Sequence, residues 1–297
     1  MAPLALTDSS LSMTTLGIAL ALACAAMANL GMLCKHRGAC ESPEIRLRSP
    51  LRSAVSLFDS TWWTIGFAVA AAAWVLHVAA MAVAPLSLVQ AVIAGGLVLL
   101  AYPATRYFGH SLSRREWIGL GLAAAGLAFL AVTVPHAHES EGYSVATMIA
   151  FETVTIGAGF ALFASGVLRR GSICHGVVLG LSSGLLIGVS NVAIKALTEG
   201  VGSGIAALLS PWTAVAVIGG LGAFFALARG MQLGEAIPVI ATASVASNCS
   251  AILGGVFVFG DPIGSGLADG LARGLAFAAV IAAVALLPAP RSEATPA

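Results

Sequence analysis

Charge is what this chain has least of. Asp, Glu, Lys and Arg make up 9% of its 297 residues, against about 25% in an ordinary soluble domain. A water-exposed surface cannot be built from such a composition. The net charge of +1 leaves no footprint for nucleic acid, which needs a stripe of phosphate-neutralising cations. Paired cysteines are missing too. Cys24, Cys34, Cys40, Cys174 and Cys249 are scattered, mostly inside apolar runs, and read as small core residues rather than disulfides or metal ligands. Nor do polar and apolar residues alternate over ~10 positions, as they would in the strands of an outer-membrane barrel.

What remains is 59% hydrophobic, with a mean hydropathy of +0.97. The apolar residues fall in repeated runs of roughly 18–25 residues, the length that crosses a hydrocarbon core as helix. The expected fold is an all-α polytopic membrane protein of nine spans: 14–34, 61–84, 86–108, 116–134, 145–168, 173–196, 209–229, 236–260 and 271–287. The first run is read as a retained helix rather than a secretory signal. Met1 to Met13 holds no Lys or Arg and carries Asp8, where a signal wants positive charge. The run stops at Lys35-His36-Arg37.

The basic residues sort by side. Lys35, Arg37, Arg46, Arg48, Arg52, Arg106, Arg114, Arg115, Arg169, Arg170, Arg229 and Arg291 fall in one set of connections or in the tail. The alternate set holds only Lys195 and Arg273. The positive-inside rule then puts the N-terminus outside and the C-terminus in the cytoplasm of a cell inner (plasma) membrane. Segment 37–58, with Pro43, Pro50 and four arginines, is expected as a cytoplasmic loop with a short surface helix.

A repeat emerges on shifting the chain by 150 residues, which brings Trp62 onto Trp212 and Met81 onto Met231. Both copies read as a helix, a tight turn and a helix with an early proline: Ala82-Val83-Ala84-Pro85 in one, Gln232-Leu233-Gly234-Glu235 with Pro238 beyond in the other. Span 1 carries Gly17, Ala21, Ala25 and then Asn29; span 6 carries Gly176, Gly180, Gly184, Gly188 and then Asn191. Each ends soon after at a lysine, Lys35 or Lys195. The expected organisation is a first repeat over 1–135 with a basic loop at 35–60, a linking helix within 136–170, a second repeat over 171–290 and a tail at 291–297. A displacement of five spans is odd, so the copies cross in opposite senses. That is the inverted-repeat plan of secondary transporters, whose site lies near the midplane.

Few residues could carry chemistry. Glu152 is the deepest carboxylate, roughly 10–12 Å inside span 5 at 1.5 Å per residue. Ionisable groups at that depth face a cavity, a partner or a proton path, so Glu152 is a candidate for proton coupling or, weakly, for cation binding. The alternatives are a position nearer the interface or a neutral acid bonding a neighbouring helix. His77 could bind solute or relay protons, or simply bond across helices. Span 8 is polar at its centre, with Thr242, Ser244, Ser247, Asn248 and Ser250. Asn248 counts most, since its amide has donors and an acceptor to satisfy, whereas Ser and Thr can bond their own backbone. Ser244, Ser247 and Asn248, with Ser87 and Gln90 on span 3, are the expected substrate-facing groups. Asn29 and Asn191 are expected as a pair near the pseudo-axis. The glycine ladder of span 6 is read as a packing face, and Lys35, Lys195, Arg229 and Asp261 as span-end residues that reach the interface.

No nucleotide-binding glycine loop, His/Cys metal cluster or nucleophile–base set is present, so no cofactor and no enzyme is expected. His136, His138 and Glu139 come nearest to a reactive group and sit in a polar outer loop. A structural or receptor-like membrane subunit is the remaining class, and it would not require a buried Glu and Asn.

Three features carry a family resemblance. They are the helix–turn–helix unit ending in Ala84-Pro85-Leu86-Ser87-Leu88-Val89, the basic Ser113-Arg114-Arg115-Glu116-Trp117, and the small-residue span 4. Through them, over nearly its full length, the chain resembles the drug/metabolite transporter superfamily. The four-plus-one-plus-four plan, Trp63 and Gly66 early in span 2, and the Ala84–Val89 motif look most like its NIPA-like magnesium-transporter branch. Where that branch has Gly-Glu and then Asn in the second helix, this chain has Ala73-Trp74 and then His77; its Thr-Pro after Leu-Val is Gln90-Ala91 here. The intramembrane glutamate, an obvious ligand for a hard cation, is gone. The resemblance implies alternating access by a secondary transporter. Export of a small metabolite or drug is expected ahead of Mg²⁺, with the bilayer and the solute or cation as partners, no nucleic acid, and a homodimer allowed.

Overall fold

Proline and glycine punctuate long apolar helices here, and several of the helices begin or end beside one. A computed structural model describes residues 3–45, 49–83, 89, 92–93, 95–107, 109, 112–133, 143–168, 175–200, 209–260 and 266–286. The elements are α1 (Pro3–Glu41), α2 (Pro50–Phe58), α3 (Thr61–Val83), a 3₁₀ turn (Gly96–Leu100) running into α4 (Ala101–Arg106), α5 (Arg114–Thr133), α6 (Val145–Leu168), α7 (His175–Gly200), α8 (Pro211–Leu233), α9 (Ala236–Val258) and α10 (Leu267–Leu286). No strand occurs among the described residues. The chain is an all-helical, polytopic membrane protein. Among the described residues five helical stretches are long and apolar enough to span a bilayer: Thr15–Glu41, Val145–Ser165, His175–Leu197, Pro211–Leu233 and Ala236–Val258.

Each predicted span coincides with helix where the chain is described, and α6 has the bounds read from the sequence. Span 3 is covered in part; Ser87 and Gln90 lie outside the described residues, as do His136, His138, Glu139, Cys174 and Asp261. The largest departure is α1, which continues through Lys35-His36-Arg37 to Glu41. Charge ends an apolar run but not a helix, since Lys and Arg are good helix formers; the stop comes only at Ser42-Pro43, where proline disfavours helix at the residue before it. The expected surface helix is α2, with Pro50 at its first position and Ser53 and Leu57 turned inward. α8 starts in a favoured way, with Pro211 at its first position and the Ser210 side chain accepting from Trp212 N–H. At the start of α5, Glu116 accepts from the Ser113 N–H at 2.8 Å and hydroxyl at 2.9 Å, and Ser113 Oγ accepts from Glu116 N–H. This is a capping box.

In lipid, helices associate through close packing rather than through hydrophobic drive, and glycine supplies the closeness. α1 lies against α3 at Gly31 and Gly66: a Cβ on Gly66 would stand 2.6 Å from the Gly31 carbonyl oxygen. The ladder of α7 has a definite target, α9. Gly180 meets Val239, Gly184 meets Ala243 and Gly188 meets Ser250, while Gly176 meets the Gly230–Gly234 end of α8. α7 also packs on α8 and α6, and α5 packs on α10. One apolar core runs through Leu33 of α1, Trp63 of α3, Leu120 of α5, Met231 of α8, Ile240 of α9 and Val280 of α10. Trp63 meets the Phe224 ring of α8 edge-on at 5.8 Å.

Candidate functional site

Three helices and the 3₁₀ turn surround a cavity of about 240 Å³, lined by Ala25, Ala28, Asn29 and Met32 of α1, Ile93 and Leu97 of span 3, Leu127 of α5, and Ile240, Ser244 and Asn248 of α9. It lies inside the helix bundle: Asn29 is near the middle of the apolar stretch Thr15–Glu41, and Ser244 is two turns into α9. Asn29 donates through Nδ2 to the Gly96 carbonyl at 2.8 Å, at the point where span 3 tightens into 3₁₀ geometry. Asn248 donates through Nδ2 to the Ser244 carbonyl of its own helix, also at 2.8 Å. Both amide nitrogens are therefore engaged by backbone. No donor among the described residues reaches either amide oxygen, so both stay available as acceptors. Among the described residues no carboxylate, lysine or arginine lines this cavity.

The structure thus regroups the sequence candidates. Asn29 joins Ser244 and Asn248 rather than Asn191, which is exposed on α7 and is not among the lining residues. Ser247 faces α7, its backbone against Gly184 and Gly188. Thr242 is fully buried, with no partner for its hydroxyl among the described residues. His77 is half-buried on α3, away from the lining residues. Glu152 lies elsewhere, 3% exposed in α6, and does not share the cavity with Asn248. Among the described residues no three His, Cys, Asp or Glu side chains are grouped to hold a metal.

One cluster escaped the sequence reading. One helical turn beyond Met32 and Ile240, toward the end rich in lysine and arginine, α1 and its following loop are tied to the α8–α9 turn. Gln232 donates through Nε2 to the carbonyls of Ala39 at 3.1 Å and Pro43 at 3.0 Å. Its Oε1 accepts from Ile45 N–H and from Arg229, and Arg229 pairs with Glu44. His36 Nε2 bonds the Gly234 carbonyl at 3.0 Å, and Cys40 Sγ donates to the Met231 carbonyl. Arg229 is therefore built into a contact between distant segments instead of reaching freely to the interface, and Cys40 is exposed rather than core. Cys24 and Cys34 are buried and free, as expected. Lys35 and Lys195 place their ammonium groups over the rings of Phe67 and Phe259, at 5.3 and 4.0 Å.

The fold and this cavity define a multi-pass helical membrane protein with a polar pocket between its helices. The chain is similar to the protein named "Probable magnesium transporter NIPA9" of Arabidopsis thaliana, with 25% identity over 260 residues, 83% of this chain and 74% of that protein. The similarity supports a membrane transporter, and not an enzyme. No family model and no solved structure matches the chain.

Proposed function

We propose that this chain is a secondary transporter that moves a small solute or cation through the central cavity by alternating access, with Mg²⁺ as its first candidate substrate. The observation that carries the reading is the cavity in which Asn29, Ser244 and Asn248 converge from two distant parts of the chain. Two inverted halves, 1–135 and 171–290, fit the packing: α1 lies on α3 as α7 lies on α8, α1 meets the 3₁₀ turn as α7 meets α9, and α5 meets α10. The Gln232 cluster then acts as the latch that closes the cavity toward the basic end, which the charge distribution assigns to the cytoplasm.

Mg²⁺ is favoured by the similarity to a protein named as a magnesium transporter. The ion dehydrates reluctantly and usually keeps several waters. The O–H groups of those waters are donors, and the free amide oxygens of Asn29 and Asn248 are acceptors. A second reading, export of a small organic solute within the drug/metabolite superfamily, is favoured by a lining that holds no carboxylate among the described residues. In liposomes containing the purified chain, Mg²⁺ uptake is expected from the wild type. Asn29→Leu and Asn248→Leu should each reduce it roughly 5- to 150-fold, the effect of losing one acceptor worth about 1–3 kcal/mol. Uptake of organic cations or amino acids without Mg²⁺ would select the second reading, and no flux of any of them would defeat both.

A further inference from the structure

Among the described residues Glu152 is the carboxylate buried deepest within a helix, and the central cavity does not use it. It lies seven residues into α6, on the same helix face as Met148 and Gly159 by its spacing. Met148 packs among Val192, Ala193 and Ala196 of α7, and Gly159 packs on Leu186 and accepts from Ser182 at 2.8 Å. Glu152 therefore meets α7 between these two contacts. Neither of its oxygens has a hydrogen-bond partner among the described residues. Its sequence neighbour Phe151 and Thr155, one turn on, line a second cavity of about 320 Å³ together with Cys249 and Ser250 of α9, and Glu152 itself is set back from the described lining. The buried Ser250 hydroxyl also lacks a partner among the described residues. Helix α9 is thus a shared wall: Ser244 and Asn248 border the central cavity, and Cys249 and Ser250 border the second.

We propose that Glu152 is a proton-binding site of the transport cycle, separate from the solute cavity and coupled to it through α9. The inference rests on the transporter reading given above. An ionised carboxylate without a partner is far costlier to bury than a neutral acid, so the packed α6–α7 seam holds the acid form. When α6 and α7 part and water enters the second cavity, the Glu152 O–H bond breaks and the proton passes to water as hydronium. Reloading from water on the other side reverses the step. Among the described residues no charged side chain bonds Glu152. On the helices packed against α6 the titratable residues are His175, Lys195 and Glu199 of α7, Arg229 of α8 and Cys249 of α9. Lys195 stands over the Phe259 ring, and Arg229 is bound to Glu44 and Gln232.

The full-length protein in liposomes provides the test, with two readouts. Infrared difference spectra should show the carbonyl stretch of a protonated carboxyl in the wild type, lost in Glu152→Gln and retained, shifted, in Glu152→Asp. An imposed pH gradient should accelerate Mg²⁺ uptake by the wild type, and Glu152→Gln should lose that gradient-driven component while keeping downhill uptake. Absence of the wild-type band, or undiminished gradient-driven uptake in Glu152→Gln, overturns the proposal. If the wild type moves no Mg²⁺ at all, the transporter reading fails on that substrate while the infrared band alone still decides whether Glu152 holds a proton.

Discussion

Gly184→Val should lower the thermal stability of the detergent-solubilised protein by about 6–12 °C, the shift expected from about 3 kcal/mol at 2–4 °C per kcal/mol for a chain of this size. At this position a Cβ alone would overlap the Ala243 carbonyl oxygen and the Ala246 Cβ, and stand 3.0 Å from the Ser247 nitrogen. Two of these three atoms belong to the backbone of α9, so no rotamer change can make room. Overpacking of this kind costs about 1–3 kcal/mol and more where backbone must move; the upper end applies here because both helices would have to separate. Gly157→Ala is the control. That glycine on α6 has no atom within 4 Å of its would-be Cβ, and alanine is the better helix former by roughly 1 kcal/mol. Stability should hold or rise slightly. The monodisperse fraction surviving a heating series, read by size exclusion, compares the two; equal losses would mean that α7 and α9 do not pack as described.

The second large effect concerns Gln232→Ala. One side chain holds the Ala39 and Pro43 carbonyls, the Ile45 amide and the Arg229 guanidinium together. Four bonds at a net of about 0.5–1.5 kcal/mol each, discounted at the upper end because the Pro43 contact is exposed to solvent, put the loss on the order of 2–4 kcal/mol. At tenfold per 1.4 kcal/mol, that is roughly a 30- to 700-fold shift toward the state open at the basic end. Hydrogen exchange should rise in the end of α1 and in the α8–α9 turn, and stay unchanged in α5 and α10. A uniform rise over the whole chain would instead report general unfolding and would count against a latch.

Much of the architecture was legible because hydropathy is a signal along one dimension. A run of 24 mostly apolar residues between polar flanks marks α6 whatever it packs against. The glycine ladder could be read as a packing face, but not its partner, since the choice of α9 depends on three-dimensional placement. The same limit split the site. Ser244 and Asn248 share a helix and could be grouped by spacing, whereas Asn29 stood with Asn191 only through the repeat. The chain's long-range folding joins Asn29 to Asn248 instead. Gln232 was visible only as part of a tight turn, because a polar residue at a span end is ordinary. Its role needs the loop after α1 to come back to it, which periodicity does not encode.

The length of α1 has a consequence for the speed of the cycle. Residues 14–34 already cover roughly 31 Å at 1.5 Å per residue, the full thickness of a hydrocarbon core. His36, Ala39 and Cys40 follow that stretch and carry the Gln232 cluster with them, and its Pro43 and Arg229–Glu44 contacts are exposed. Within hydrocarbon each broken bond would leave a bare polar group costing several kcal/mol. In the headgroup layer every released carbonyl and amide is met at once by a water molecule. As the proposed latch, the cluster holds bonds that solvent can take over, and its release is expected in the microsecond-to-millisecond range of ordinary hinge motions rather than at the rate of local unfolding.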